Sequence, residues 1–287
     1  MTATLIDLEH LGHPRVLSSY LLEGEEPALV DCGPSTCLDA LESGLARAGL
    51  ALTDVRHLLL THIHLDHSGA AGVLVRRNPR LQVHVSEIGA PHLTDPSRLE
   101  RSARRLYGED FDCLWGELAP VPAENVLVIG DRVLDLEAFP APGHASHHVA
   151  FLGRDGWCYA GDSTGARIYP SAYVQPLAPP PDLDLEAWSR TFAELERRRP
   201  ERICVAHFGV FDDAPAHLAR ARGALARWAE RVRAGATQEE LVAAAEAEIP
   251  ADADAGVAEA YRRAGPPGQS FLGLRRYWDK QAEREGG

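Results

Sequence analysis

The sequence predicts a mixed α/β fold in which short apolar strands alternate with helices. Apolar runs of strand length recur between about residues 4 and 210, separated by segments of helical periodicity. Several of these runs end on a histidine or aspartate with glycine nearby. Beyond residue 211 the pattern is helical. Strands interleaved with helices point to a layered sandwich rather than to an all-α or all-β chain.

The elements follow in order. Segments around 4–10, 16–23 and 27–31 read as strands. Residues 35–48 read as a helix, with Leu38, Leu41 and Leu45 on one face and Gly49 as the stop. Strands near 56–61 and 81–85 flank a helix that starts about Ser68. Residues 86–120 interrupt the strand pattern with Leu99, Leu106, Phe111, Leu114 and Trp115, which suggests two or three short inserted helices. Further strands fall near 126–128, 133–139, 148–153, 157–161 and 202–206. Residues 163–182 carry Tyr169, Tyr173 and the run Pro179-Pro180-Pro181, and read as a stiff irregular loop. After His207 come a helix over 212–234, a second helix behind the capping box Thr237-Gln238-Glu239-Glu240, and a last one over 268–283. This helical tail could cap a pocket, brace the sandwich or form a homodimer interface.

The chemistry concentrates at Thr61-His62-Ile63-His64-Leu65-Asp66-His67. Three imidazoles and a carboxylate at this spacing suit a borderline cation such as zinc. The run follows Leu58-Leu59-Leu60, so it sits at a strand's carboxyl end, where sites in open α/β sheets lie. His62 and His64 alternate with Ile63 and face one way if strand geometry persists. Asp66 and His67 break that alternation and fall on the turn into the next helix. Buried at this density without a cation, such groups would be costly. His144 in Pro142-Gly143-His144, Asp162 in Gly161-Asp162, and His207 also follow apolar runs. Taken singly, His10, His13, His57, His84, His92 and His217 read as surface or satisfied core residues.

Together with Asp31 in Leu29-Val30-Asp31-Cys32-Gly33, this ordered set resembles the metallo-β-lactamase fold superfamily. The resemblance implies a four-layer αββα sandwich. Its catalytic domain would span 1–210, with a helical insertion at about 86–120, and a helical C-terminal extension over 211–287 would pack on the same domain. It also implies two divalent metal ions, with zinc as first choice and manganese or iron as alternatives. His62, His64 and His144 would hold one ion. Asp66, His67 and His207 would hold the other, and Asp162 would bridge them. Asp31 would support the ligands by hydrogen bonding.

The implied activity is hydrolysis by a metal-bound hydroxide, with Asp66 orienting the nucleophile and taking its proton. Tyr169 or Tyr173 is placed to donate to an oxyanion. A small-molecule substrate with a carboxylic ester, thioester or lactone bond is preferred, because the inserted helices suggest an enclosed pocket. Gly165 stands where many lactonases of this family have tyrosine, and the tail lacks the basic cluster of glutathione-thioester hydrolases. The alternatives are a mononuclear-iron persulfide dioxygenase and a phosphodiesterase. His64 stands where flavodiiron relatives place a carboxylate, which disfavours a diiron redox centre.

Composition narrows the classes. The chain has 287 residues and a formal net charge of −13. That charge argues against a nucleic-acid partner, which needs basic surface. No apolar run approaches transmembrane length, and the start lacks a signal-peptide pattern, so no membrane association and a cytoplasmic location are expected. The five cysteines, Cys32, Cys37, Cys113, Cys158 and Cys204, do not have the spacing of a disulfide scaffold, and Cys158 and Cys204 read as buried thiols.

Overall fold

The computed structural model describes residues 2–251 and 253–285. It contains two six-stranded sheets with helices. In the first sheet, β1 (Thr2–Asp7), β2 (Ser18–Glu23), β3 (Ala28–Val30), β4 (His57–Leu59), β5 (Gln82–Val85) and β6 (Val126–Val128) lie in sequence order. The β1–β2 and β2–β3 pairs are antiparallel, and β3 to β6 run parallel. The second sheet has β7 (Arg132–Val133), β8 (Leu136–Pro140), β9 (Val149–Leu152), β10 (Trp157–Gly161), β11 (Arg202–Val205) and β12 (Gly209–Phe211), also in sequence order.

The chain divides into two compact units. The first runs to Phe139 and includes Phe151–Asp155; the second comprises Pro140–Ala150 and the chain from Gly156 onward. In the first unit, α1 (Leu38–Arg47) buries Leu38, Leu41 and Leu45, as its spacing predicts. Gly44 lets this helix lie against β1, because a Cβ there would come 2.3 Å from Ile6 Cγ2. The parallel strands bury Leu29, Leu58, Leu59, Val83 and Val85. The metal-type run forms the one-turn helix α2 (Leu65–Ser68), followed by α3 (Ala71–Arg77).

The insertion folds as α4 (Ala90–Thr94), α5 (Ser97–Tyr107) and α6 (Phe111–Trp115). Its apolar side, with Ala103, Phe111 and Trp115, packs on Leu65 between His64 and Asp66. The expected strand over 133–139 is instead the antiparallel hairpin β7–β8. Leu134 makes the turn with φ 52°, a left-handed conformation that apolar composition does not signal.

The second unit contains α7 (Leu185–Arg198), in a stretch where the sequence predicts no element. Asp184 caps it by accepting from the Ala187 N–H, and Trp188, Phe192 and Leu195 are buried. The helical C-terminal extension consists of α8 (Ala214–Arg233), α9 (Gln238–Glu248), α10 (Ala255–Ala264) and α11 (Pro267–Glu285). The capping box forms: Thr237 Oγ1 accepts from Glu240 N, and Glu240 Oε2 accepts from Thr237 N. The helix α10 lies between the helices expected behind Thr237 and over 268–283, where the sequence predicts no element. Among the described residues no helix is long and apolar enough to cross a membrane. All five cysteines are free, and Cys158 and Cys204 are buried.

Candidate metal centre

Asp31 organises the candidate ligands of the first unit. It follows β3 with φ 56°, a left-handed turn held by Asp31 N–H donating to Leu59 O at 2.9 Å. The carboxylate is buried and accepts three hydrogen bonds. Thr61 N donates to Oδ1 at 2.8 Å, while Thr61 Oγ1 and His67 Nδ1 reach Oδ2 at 2.7 and 2.9 Å. A carboxylate oxygen accepts, so the proton of His67 sits on Nδ1 and its lone pair on Nε2. Since Thr61 Oγ1 donates its proton to Asp31, it accepts from His62 Nδ1 at 3.1 Å. That places the lone pair of His62 on Nε2 as well. One carboxylate therefore sets the tautomers of two imidazoles.

The remaining groups lie beside these. His62 Nε2 meets His64 Nδ1 at 3.0 Å. Asp66, partly exposed, has Oδ2 3.7 Å from His67 Nε2.

In the second unit, His144, Asp162 and His207 are all buried. His144 Nδ1 donates to Leu177 O at 2.7 Å, leaving its lone pair on Nε2. That atom lies 3.5 Å from Asp162 Oδ2, and His207 Nε2 lies 3.5 Å from Asp162 Oδ1. Each oxygen of one carboxylate thus faces a different imidazole. Two atoms each about 2.1 Å from one tetrahedral ion lie about 3.4 Å apart. The 3.5–3.7 Å separations match ligand pairs sharing a cation. With the lone pairs of His62, His67 and His144 on Nε2, the donor set fits divalent metal.

Three side chains hold the main chain around Asp162, and motif spacing shows none of them. His148 Nε2 accepts from Asp162 N at 3.2 Å. Trp188 Nε1 donates to Ser163 O at 2.6 Å, and His217 Nε2 donates to Thr164 O at 3.1 Å. Burial, with a smaller effect from the nearby Arg167 charge, lowers the His217 pKa to about 3, so the ring is a neutral core group. His207 is fixed from the backbone: Arg167 N donates to its carbonyl at 2.6 Å, and Phe208 N donates to Arg167 O at 2.9 Å.

The tyrosines diverge. Tyr169 is 60% exposed and joins this ladder through Tyr169 N to Phe208 O at 3.1 Å. Tyr173 packs on Tyr261 with ring centres 5.1 Å apart, and its hydroxyl points to Glu248 Oε2 at 3.5 Å. Burial raises its pKa far above the usual phenol value.

A family model for the metallo-beta-lactamase superfamily matches residues 14–207. The chain belongs to the metallo-beta-lactamase superfamily. Members of this superfamily are mostly metal-dependent hydrolases that bind divalent metals. The chain is 26% identical over 208 residues to the metallo-beta-lactamase fold-containing protein ST1585 of Sulfurisphaera tokodaii, covering 69% of this chain and 74% of that one. The solved structure of ST1585 matches with a TM-score of 0.70 at 22% identity over 95% of this chain and 98% of that one. A probable metallo-hydrolase of Bacillus subtilis, YqjP, is 28% identical over 169 residues, covering 50% of this chain and 51% of that one. A further solved structure, TTHA1623 in a di-iron-bound form, matches with a TM-score of 0.53 at 25% identity, covering 71% of this chain and 91% of that one.

Proposed function

We propose that this superfamily member is a dinuclear metal-dependent hydrolase of a small carboxylic ester, thioester or lactone. In this reading His62, His64 and His144 hold one cation, Asp66, His67 and His207 hold the second, and Asp162 serves both. The observation that carries it is the Asp162 carboxylate, with one oxygen 3.5 Å from His144 Nε2 and the other 3.5 Å from His207 Nε2. A carboxylate that serves a single cation does not need an imidazole at each oxygen.

Bound divalent cations supply Lewis acidity and acidify water near neutral pH. The residues do the rest. Asp31 and the Leu177 carbonyl keep protons off the ligating nitrogens. Asp66, partly exposed, would orient a water and hold its proton. The exposed Tyr169 hydroxyl, next to the segment that carries His207, is the better donor to a developing oxyanion. Tyr173 is a scaffold residue, since its hydroxyl faces Glu248. Zinc is the first choice of metal, and a cytoplasmic location accompanies the reading. The net charge of −13 supports an uncharged or small acyl substrate over a polyanion.

The test is elemental analysis of protein purified without added metal, paired with ester, thioester, lactone and phosphodiester substrates. Two zinc or manganese ions per chain with acyl hydrolysis, both lost in His64→Ala and Asp162→Ala, support the proposal. One iron per chain, oxygen consumption with a persulfide and no hydrolysis would overturn it in favour of a dioxygenase. Turnover of the phosphodiester alone would overturn the acyl assignment.

A further inference from the structure

The second unit brings two ligand-bearing turns against a single indole. Trp188 is 1% exposed and lies in the first turn of α7. Its Nε1–H donates to Ser163 O at 2.6 Å, directly after Asp162. The base of the same residue, at Cα, Cβ and Cγ, closes on the turn before His144. A Cβ at Gly143 would come 2.3 Å from Trp188 Cβ, 2.4 Å from its Cα and 2.5 Å from its Cγ. The ring stands edge to face with the His144 imidazole, with centres 6.0 Å apart.

The same helix grips that turn twice more. Asp184 N donates to Gly143 O at 2.9 Å, and Thr191 Oγ1 donates to Pro142 O at 2.6 Å. Phe192 lies nearly parallel to the indole, with interplanar angle 2° and centres 6.4 Å apart. The indole is therefore bonded to the turn after Asp162 and stacked on Phe192, while its own helix holds the turn before His144.

We propose that Trp188 is a positioning residue that sets the separation of His144 from Asp162, and with it the affinity of the metal these two residues share. Trp188 touches no substrate; it acts through Gly143 and Ser163. The inference rests on the metal-site reading above, and adds to it an element outside the superfamily's ligand motifs. The base of the residue and the N–H divide the work. The contact with Gly143 is made by Cα, Cβ and Cγ, which phenylalanine also has, whereas the bond to Ser163 needs the indole nitrogen. Trp188→Phe keeps most of the first and removes the second.

Trp228→Phe is the matched control. Trp228 is also fully buried and also donates through Nε1, but to Glu248 Oε2 at 3.1 Å on α9, and no ligand turn is involved. The experiment titrates zinc into metal-free protein against a chromophoric chelator and records the visible absorption of the cobalt-loaded form. Thermal unfolding is followed in chelator. Trp188→Phe should unfold at a temperature similar to Trp228→Phe, yet bind one equivalent of zinc about 10-fold more loosely, in the range for residues that orient metal ligands. Its cobalt spectrum should shift, while that of Trp228→Phe should match the parent.

Unchanged zinc affinity and an unchanged cobalt spectrum in Trp188→Phe would overturn the inference, whatever the enzyme hydrolyses. Equal loosening in both variants would also overturn it, because the effect would then be general destabilisation. If the parent binds metal but hydrolyses nothing, the hydrolase reading fails and the comparison of the tryptophans still decides this proposal. A parent that binds no metal overturns both.

Discussion

Replacing Asp31 by asparagine tests the logic of the centre with the smallest change of shape. The left-handed φ of 56° at this position is tolerated by asparagine, so the backbone should stay in place. The hydrogen-bond polarity would not. Asparagine can keep Thr61 N on its carbonyl oxygen, but its NH₂ then faces Thr61 Oγ1 and His67 Nδ1, the two groups that Oδ2 now receives at 2.7 and 2.9 Å. A donor at that point requires His67 Nδ1 to accept, which moves the ring proton to Nε2 and removes the lone pair meant for a cation.

Thr61 Oγ1, now an acceptor from the amide, turns its own proton toward His62 Nδ1 at 3.1 Å, with the same result there. One substitution thus reverses two tautomers. Loss of a partner that orients a metal-binding histidine typically costs about 10–100-fold in affinity, or about 1.4–2.8 kcal/mol. With two rings affected, Asp31→Asn should reach the upper end of that range or pass it. The assay is competition for zinc against a chelator of known affinity, with circular dichroism on the metal-free protein to confirm the fold. A folded Asp31→Asn protein that binds zinc as tightly as the parent would refute the tautomer argument.

Gly143→Ala should be poorly tolerated, since φ is 136° and the added Cβ meets Trp188 at 2.3 Å; a loss of about 1–3 kcal/mol is expected in urea unfolding, and an unchanged midpoint would contradict it. Tyr169→Phe should lower kcat with little change in KM if its hydroxyl meets the oxyanion, whereas Tyr173→Phe should leave kcat alone; the reverse pattern would exchange their roles. Burial and the neighbouring His57 lower the His84 pKa to about 4 from an ordinary 6.5. Between those values the unfolded chain takes up a proton that the folded chain refuses, so this contribution is complete above 6.5 and is lost as pH falls toward 4. His84→Gln should therefore flatten the loss of stability from pH 7 to 4 in chelator-treated protein, and an unchanged slope would remove His84 as its source.

The strands were legible because each is an apolar run of the right length, and the candidate ligands because they sit where those runs stop. The segment around α7 was harder to read. Its helix signals, Asp184 as cap and Trp188, Phe192 and Leu195 at helical spacing, are local and ordinary, but they follow Pro179-Pro180-Pro181, which reads as irregular chain. The hairpin β7–β8 was hidden because Leu134 takes a left-handed turn without glycine or asparagine. His148 and His217 carry no motif at all. Their part arises only when β9 and α8 bring them against the backbone at Asp162 and Thr164. Sequence spacing reports ligands that share a strand end; it cannot report a side chain that serves another segment's main chain.

The loop leaving Asp162 has almost no regular structure of its own beyond the bridge between Ala166 and Gln175. It is tied instead to the chain's final helices. Tyr261 Oη accepts from Ile168 N and donates to Tyr173 O, Gln175 Nε2 donates to Gly265 O, and Ser270 Oγ accepts from Ala178 N. Changes in α10 and α11 can therefore reach the loop that carries Tyr169, whose Leu177 carbonyl also receives His144 Nδ1 and whose Arg167 backbone holds His207. That arrangement ties two kinds of inheritance together. The motif histidines cannot drift free of the C-terminal helices, so substitutions in the two are expected to be inherited as a set.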